Sequence, residues 1–254
     1  MSEKNTDMIR HIRHLILLSG LGVLAAIMTI SVHFLTPEPV IKPKEDKKEK
    51  VDTSQYPDVT IVLDPGHGGY DSGTIGYSET KEKDLTLTYT LAIGERLKEL
   101  NPNLNIVYTR DSDEISWEED EEKDLIARVD VAKENNADYF LSIHVNANTN
   151  DLEATDYDFF VRQDDKVSQA IAESIIDNLQ ENGWDYESFI LDVAHYPLYV
   201  VSDQDIPAML YEIGYFSNPD MEQVLLKDET VDLIADAVAQ AYHQYILEHD
   251  EKSK

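Results

Sequence analysis

The chain has 254 residues, with 21 lysines and arginines against 51 aspartates and glutamates, a formal net charge of −30. No cysteine is present, which excludes a disulfide scaffold and a cysteine-based metal site. The acidity argues against general nucleic-acid binding, because phosphates are repelled. The length suits one ordinary domain with extensions, or two small domains.

Charge divides the chain. Residues 14–37 contain no Asp, Glu, Lys or Arg, and residues 15–35 are mostly Leu, Ile, Val, Ala and Gly. As a helix that run reaches about 30 Å, the thickness of a bilayer core. It is longer than the apolar core of a secretory signal, and no clear small-x-small cleavage site follows it. Arg10 and Arg13 precede it and favour a cytoplasmic N-terminus. The expected organisation is a cytoplasmic segment over 1–14, a transmembrane signal anchor over 15–36, a linker over 37–56 and a catalytic domain over 57–254. This places the domain on the outer side of the cell membrane. Secretion after signal cleavage is the alternative. The linker is rich in proline and charge with few apolar anchors, so it reads as a solvated tether. From residue 57 on there are 13 basic and 44 acidic residues, so the whole acidic excess sits on the globular part.

There, short apolar runs alternate with helical patterns. Strands are predicted over 59–63, 105–109, 138–145, 156–162, 198–201 and 208–213. Helices are predicted over 84–100, 123–135, 166–180, 219–226 and 230–247. Strands separated by helices predict a single α/β domain with a mostly parallel or mixed twisted sheet flanked by helices. In such sheets sites collect beyond the carboxyl ends of the strands.

Of eight histidines, His67 and His144 stand out. His67 lies in Asp64-Pro-Gly-His67-Gly-Gly69, directly after the first strand, and His144 ends a separate strand. With Glu82, at the start of the next helix, they would form a three-ligand zinc site with an open fourth position. The bland alternatives are hydrogen-bonded strand-end histidines and a simple glycine turn. The loop lacks the Lys-Ser/Thr of a phosphate-binding loop. Glu212 lies inside the apolar run 208–213, where a charge is costly without a partner or a task. It is either an outward-facing strand residue or a general base or acid. Asn146 follows His144 and is either a strand-end turn residue, a substrate contact or an orienting residue for the ligands. Asp64 either orients the loop that bears His67 or is a helix- or loop-capping carboxylate, and the second reading is preferred. The acidic run 111–124 reads as a solvated loop and helix start rather than a calcium site. His195 is assigned no role.

These motifs carry a resemblance. Thr60-Ile-Val-Leu-Asp-Pro-Gly-His-Gly-Gly69, Glu82-Lys-Asp84, Tyr108-Thr-Arg-Asp111, Ala137-Asp-Tyr-Phe-Leu-Ser-Ile-His-Val-Asn-Ala147 and Pro207-Ala-Met-Leu-Tyr-Glu-Ile-Gly-Tyr-Phe-Ser-Asn-Pro219 occur in this order. Together they make residues 59–246 resemble the zinc-dependent N-acetylmuramoyl-L-alanine amidases of bacterial cell-wall hydrolysis, amidase type 3. The resemblance implies zinc ligands at His67, Glu82 and His144, a catalytic glutamate at Glu212, and peptidoglycan as substrate. It departs in two places. Residues 189–196 lack the basic stretch often found before the penultimate strand, and Tyr211 replaces a small or aliphatic residue before the glutamate. Two rival readings are a zinc peptidase acting on wall stem peptides and a catalytically silent, membrane-anchored wall-binding protein. A protein activator is compatible with the sequence but not indicated by it.

Overall fold

The structure, a computed structural model, describes residues 56–196 and 198–249. The expected anchor, the linker up to residue 55 and the last five residues lie outside the described residues. Among the described residues no helix is long and apolar enough to cross a membrane.

Six strands form one sheet: β1 (Thr60–Pro65), β2 (Asn105–Tyr108), β3 (Tyr139–Asn146), β4 (Tyr157–Val161), β5 (Ser188–Asp192) and β6 (Ala208–Tyr215). Their spatial order is β2-β1-β3-β6-β4-β5. The first four in that order run parallel, β4 joins β6 antiparallel, and β5 runs parallel to β4. The sheet is therefore mixed. The reversal places the start of β4 beside the end of β6.

The helices are α1 (Glu82–Leu100), α2 (Glu121–Glu134), α3 (Lys166–Glu181), α4 (Tyr199–Ser202), α5 (Pro219–Leu225) and α6 (Asp228–His249). Helices α1, α3, α5 and α6 supply the main core, in which Tyr89, Ile93, Ile175, Leu225 and Val238 pack with Leu63, Ile143, Phe159 and Tyr211 of the strands. Helices α2 and α4 cover the opposite face around a smaller cluster that includes Val62, Ala132, Phe140, Val200 and Leu210. Alternation along the strands separates the two cores, since successive side chains point to opposite faces. Caps define the helix starts: the Asp120, Asp165 and Asn218 side chains accept from backbone N–H groups of α2, α3 and α5.

Two expectations are corrected. Residues 198–201, predicted as a strand from Tyr-Val-Val, form the helical turn α4 instead, with Ser202 N donating to Leu198 O at 2.9 Å and Asp203 N to Tyr199 O at 3.0 Å. The two valines are buried in the smaller core, and burial outweighs their strand preference. Strand β5 falls in a segment for which no strand was predicted. It is a sheet edge with partly exposed side chains, and its apolar run, Phe189-Ile190-Leu191, is only three residues long.

Candidate active site

The site lies at the carboxyl ends of β1, β3 and β6 and is built outward from the loop after β1. His67 has φ +61, a left-handed conformation rare for a residue with a side chain. Two arginines hold it there. Arg110 Nε and Arg128 Nη2 both donate to the His67 carbonyl at 2.7 Å. Arg110 Nη2 also donates to Gly66 O at 3.0 Å, and Arg128 Nη1 to Pro65 O at 2.8 Å. The ring is fixed separately: His67 Nδ1 lies 2.6 Å from Asp71 Oδ2. This leaves Nε2 facing Glu82 Oε1 at 3.1 Å.

Glu82, the first residue of α1, is almost wholly buried. Its Oε1 faces both His67 Nε2 and His144 Nδ1, each at 3.1 Å, and accepts from Val145 N at 3.0 Å. Its Oε2 accepts from Thr74 N at 2.8 Å. Burial opposes the charge, but the two histidines outweigh it and hold the carboxyl far below the ordinary range. Burial likewise works against a charged His67, yet Glu82 and Asp71 raise its pKa. The two imidazoles meet edge to face, with ring centroids 4.8 Å apart.

The close approach depends on two glycines. A Cβ on Gly66 would lie 2.4 Å from the His144 ring, and one on Gly73 would lie 2.6 Å from His67 and 2.8 Å from Glu82. His67, Glu82 and His144 thus each offer a donor atom, all within 4.8 Å of one another. Two imidazoles and one carboxylate, with the second nitrogen of one imidazole held by a carboxylate, make a donor set that fits zinc.

The loop is anchored beneath the site. Asp64, fully buried, accepts from Arg128 Nη1, Thr109 Oγ1 and Ser142 Oγ, all at 2.6 Å. Burial alone would raise its pKa, but Arg128 and the two hydroxyls bring it below the ordinary value. This corrects the capping role expected for Asp64: it is the buried counter-ion of Arg128. Asp124, at the end of the acidic run, is also buried. It pairs with Arg128 Nε at 3.1 Å and accepts from Trp117 Nε1, so that run is not solvated throughout.

Glu212 is held differently. Strand register sets it opposite His144 on one side and Asp158 on the other. Its Oε2 is buried without a hydrogen-bond partner. Burial, with Glu82 and Asp158 nearby, pushes its pKa well above that of an ordinary glutamate. Asp158 is buried too, its Oδ1 lacks a partner, and its pKa is pushed up to about 6, chiefly by burial. Its Oδ2 accepts from Tyr215 Oη at 3.1 Å, and Tyr215 Oη accepts from Asn146 Nδ2 at 3.0 Å. Asn146 therefore lies in a relay toward Asp158. Tyr211 points to the other face, where it stacks on Phe159 with centroids 4.3 Å apart, so it packs the main core rather than the site. His195 lies on an exposed turn.

Sequence reasoning missed Asp71, Arg110, Arg128 and Asp158. A signal existed for Asp158, a charge inside the apolar run Tyr157-Asp-Phe-Phe-Val161, the same argument that singled out Glu212.

Comparison with known proteins converges on one family. Residues 61–244 match the family model Amidase_3, described as N-acetylmuramoyl-L-alanine amidase. The germination-specific N-acetylmuramoyl-L-alanine amidase of Bacillus subtilis is 26% identical over 198 residues, covering 74% of this chain and 80% of the relative. The structure of N-acetylmuramoyl-L-alanine amidase AmiC2 of Nostoc punctiforme is similar with a TM-score of 0.64 at 26% identity, covering 75% of this chain and 98% of that one. The CwlD amidase of Clostridioides difficile, solved in complex with the GerS lipoprotein, gives a TM-score of 0.65 at 27% identity and covers 76% of this chain and all of that one. With the family model spanning most of its length, this chain belongs to the N-acetylmuramoyl-L-alanine amidase family.

Proposed function

We propose that this amidase is zinc-dependent, that His67, Glu82 and His144 hold the metal, and that Glu212 carries the proton during hydrolysis. Family membership makes the chain a hydrolase of the amide between N-acetylmuramic acid and L-alanine in peptidoglycan. The observation that carries the finer reading is the convergence of His67 Nε2 and His144 Nδ1 on one oxygen of Glu82, with Glu212 in register beside His144.

Bound zinc would supply a Lewis acid and an acidified water. The chain's own residues supply the remainder. Asp71 keeps the His67 ring turned so that Nε2 faces inward. Arg110 and Arg128 hold the backbone that carries it. Glu212 takes a proton from the attacking water and delivers it to the departing alanine nitrogen. Its burial makes the carboxyl bind a proton more tightly than an ordinary glutamate, which favours accepting one from the water. Asn146 and Tyr215 position Asp158 behind it.

The same proposal takes residues 15–36 as a transmembrane anchor that holds the catalytic domain on the outer side of the membrane. The charge-free run and the preceding Arg10 and Arg13 support it.

The test is mass spectrometry of purified peptidoglycan digested by the protein with and without a zinc chelator. Chelator-sensitive release of stem peptides with a free L-alanine amine is expected. Cleavage inside the peptide would replace the amidase reading with a peptidase one. Zinc bound without any cleavage would point to a required activator, and a protein that binds no zinc and cleaves nothing to a silent wall-binding role.

A further inference from the structure

We propose that Glu222 of α5 is a positioning residue for the metal site: it clamps the loop that joins His67 to Glu82, and through that loop it sets where the Glu82 carboxylate stands. That role rests on the zinc reading above and adds to it a residue whose carboxylate bonds to the loop and not to a metal ligand.

The chain leaves the site at His67 and re-enters it at Glu82. Burial does not hold the far end of this excursion. Ile75 and Tyr77 are 58% and 79% exposed, and Ser78, Glu79 and Lys81 are exposed as well. A turn with so little buried surface opens readily unless something ties it down. Its own bonds close it: Gly76 N donates to Thr80 O at 2.8 Å, Glu79 N donates to Gly76 O at 3.1 Å, and Ile75 pairs with Lys81 across the turn. At the base of the turn Thr74 grips Glu82 twice. Its carbonyl accepts from Glu82 N at 2.9 Å, and its N–H donates to Glu82 Oε2 at 2.8 Å. A shift of the turn therefore reaches both the backbone and the side chain of a ligand.

The tie comes from Glu222, 144 residues further along the chain. It is fully buried, and both of its carboxylate oxygens accept from Ser78 N, at 3.1 and 2.9 Å. Gln223 Nε2 adds a bond to Ser78 Oγ at 2.9 Å. A Cβ on Gly76 would lie 2.3 Å from Glu222 Oε1, so the turn is pressed against the carboxylate and only a glycine admits it. A buried carboxylate is costly unless it is bonded, and an N–H bonds more strongly to a charged acceptor than to a neutral one. The clamp is fixed at its own end. The buried Tyr89 Oη donates to Leu225 O at 2.7 Å, which ties α5 to α1, the helix that Glu82 begins. Asn218 caps α5 directly after the strand that carries Glu212. Glu222 thus holds the loop against a frame joined to the rest of the site.

The experiment titrates the full chain, stripped of metal, with zinc in competition with a chromophoric chelator, and records melting curves with and without zinc. Glu222→Gln keeps the shape but replaces one accepting oxygen by an amide NH2, which cannot accept from Ser78 N. Gly76→Ala drives a Cβ into the same carboxylate from the other side and leaves Glu222 intact. Each variant is expected to weaken zinc binding by about tenfold, the lower end of what substitutions behind metal ligands cost. The rise in melting temperature that zinc produces should shrink with it. Ile175→Val is the control, a buried side chain on α3 away from the loop. It is expected to lower the melting temperature and leave zinc affinity unchanged. If both loop variants melt lower yet bind zinc as tightly as wild type, Glu222 is a plain structural tether and the proposal is overturned. Equal weakening by Ile175→Val overturns it as well, since general loosening then accounts for the effect. A wild type that binds no zinc removes the metal reading and the clamp together; a wild type that binds zinc, with unchanged affinity in both loop variants, removes the clamp alone.

Discussion

The two halves of the site are held by opposite means. On the His67 side every charge is answered: Asp64 and Asp124 neutralise Arg128, the two arginines bind the loop carbonyls, and Asp71 pins the imidazole. On the Glu212 side two buried carboxyls sit next to each other in the sheet, and each leaves an oxygen without a partner. The first half contributes stability through paired charge. The second costs stability and is maintained by the strands around it. Under the proposed roles, a half that holds a metal would need its donors kept in place, whereas a half that carries a proton would need a carboxyl whose proton affinity is raised, and burial without a partner does that.

The comparison can be broken most severely at Glu212. Glu212→Gln removes the proton carrier, so turnover should fall by about 10²–10⁴-fold. Zinc affinity, measured by calorimetry, should stay near wild type, and the melting temperature should not fall, because a strained buried acid has been neutralised. Near-normal cleavage of muramoyl peptides by this variant would remove Glu212 from the mechanism. Arg128→Ala attacks the other half and leaves Asp64 buried and unpaired. It should cost about 3–5 kcal/mol in chemical denaturation. A loss under 1 kcal/mol would mean that the network does not hold the loop.

A milder change sharpens the same contrast. Asp71→Asn weakens the hold on His67 and should reduce zinc affinity by about 10–100-fold, as substitutions behind metal ligands do. Unchanged affinity would show that the backbone alone orients the ring.

The smallest effect concerns pH. Asp158 has a folded-state pKa of about 6, above the roughly 3.9 of an unfolded aspartate. Between those values the folded protein binds the additional proton. The contribution of Asp158 to stability is therefore fully present below about pH 4 and is lost as pH rises through 6. Asp158→Asn should raise stability at pH 7 by roughly 1–2 kcal/mol relative to wild type and leave it little changed at pH 4. A difference between the two proteins that does not vary with pH would show that Asp158 ionises normally.

Local sequence was sufficient for much of this molecule. Runs of five to eight residues located five of the six strands; the inner ones, β1, β3, β4 and β6, are buried on both faces and read as hydrophobic segments, and β2 is a partly exposed edge. His67 and His144 stood out near the ends of such strands, Glu82 at a helix start and Glu212 as a charge inside one, and the fold brings the four together. Residues 198–201 and β5 were not legible, since one depends on what the smaller core will accept and the other is an edge with little buried surface. Nor were the roles of Asp71, Arg110 and Arg128, whereas Asp158 carried a local signal as a charge in an apolar run. The charge of Arg128 on a helix face has no meaning until β1 brings Asp64 beneath it, 64 residues away in the chain.

The sequence by itself determined the element types and the chemical inventory, because hydrophobic periodicity and the shape of a glycine turn are local properties. Only the tertiary structure decided which charges would be paired and which left alone. Pairing depends on distances between strands remote in sequence, and on the reversal of β4 that places Asp158 beside Glu212. The free energy of a buried charge is set by those neighbours rather than by its own segment.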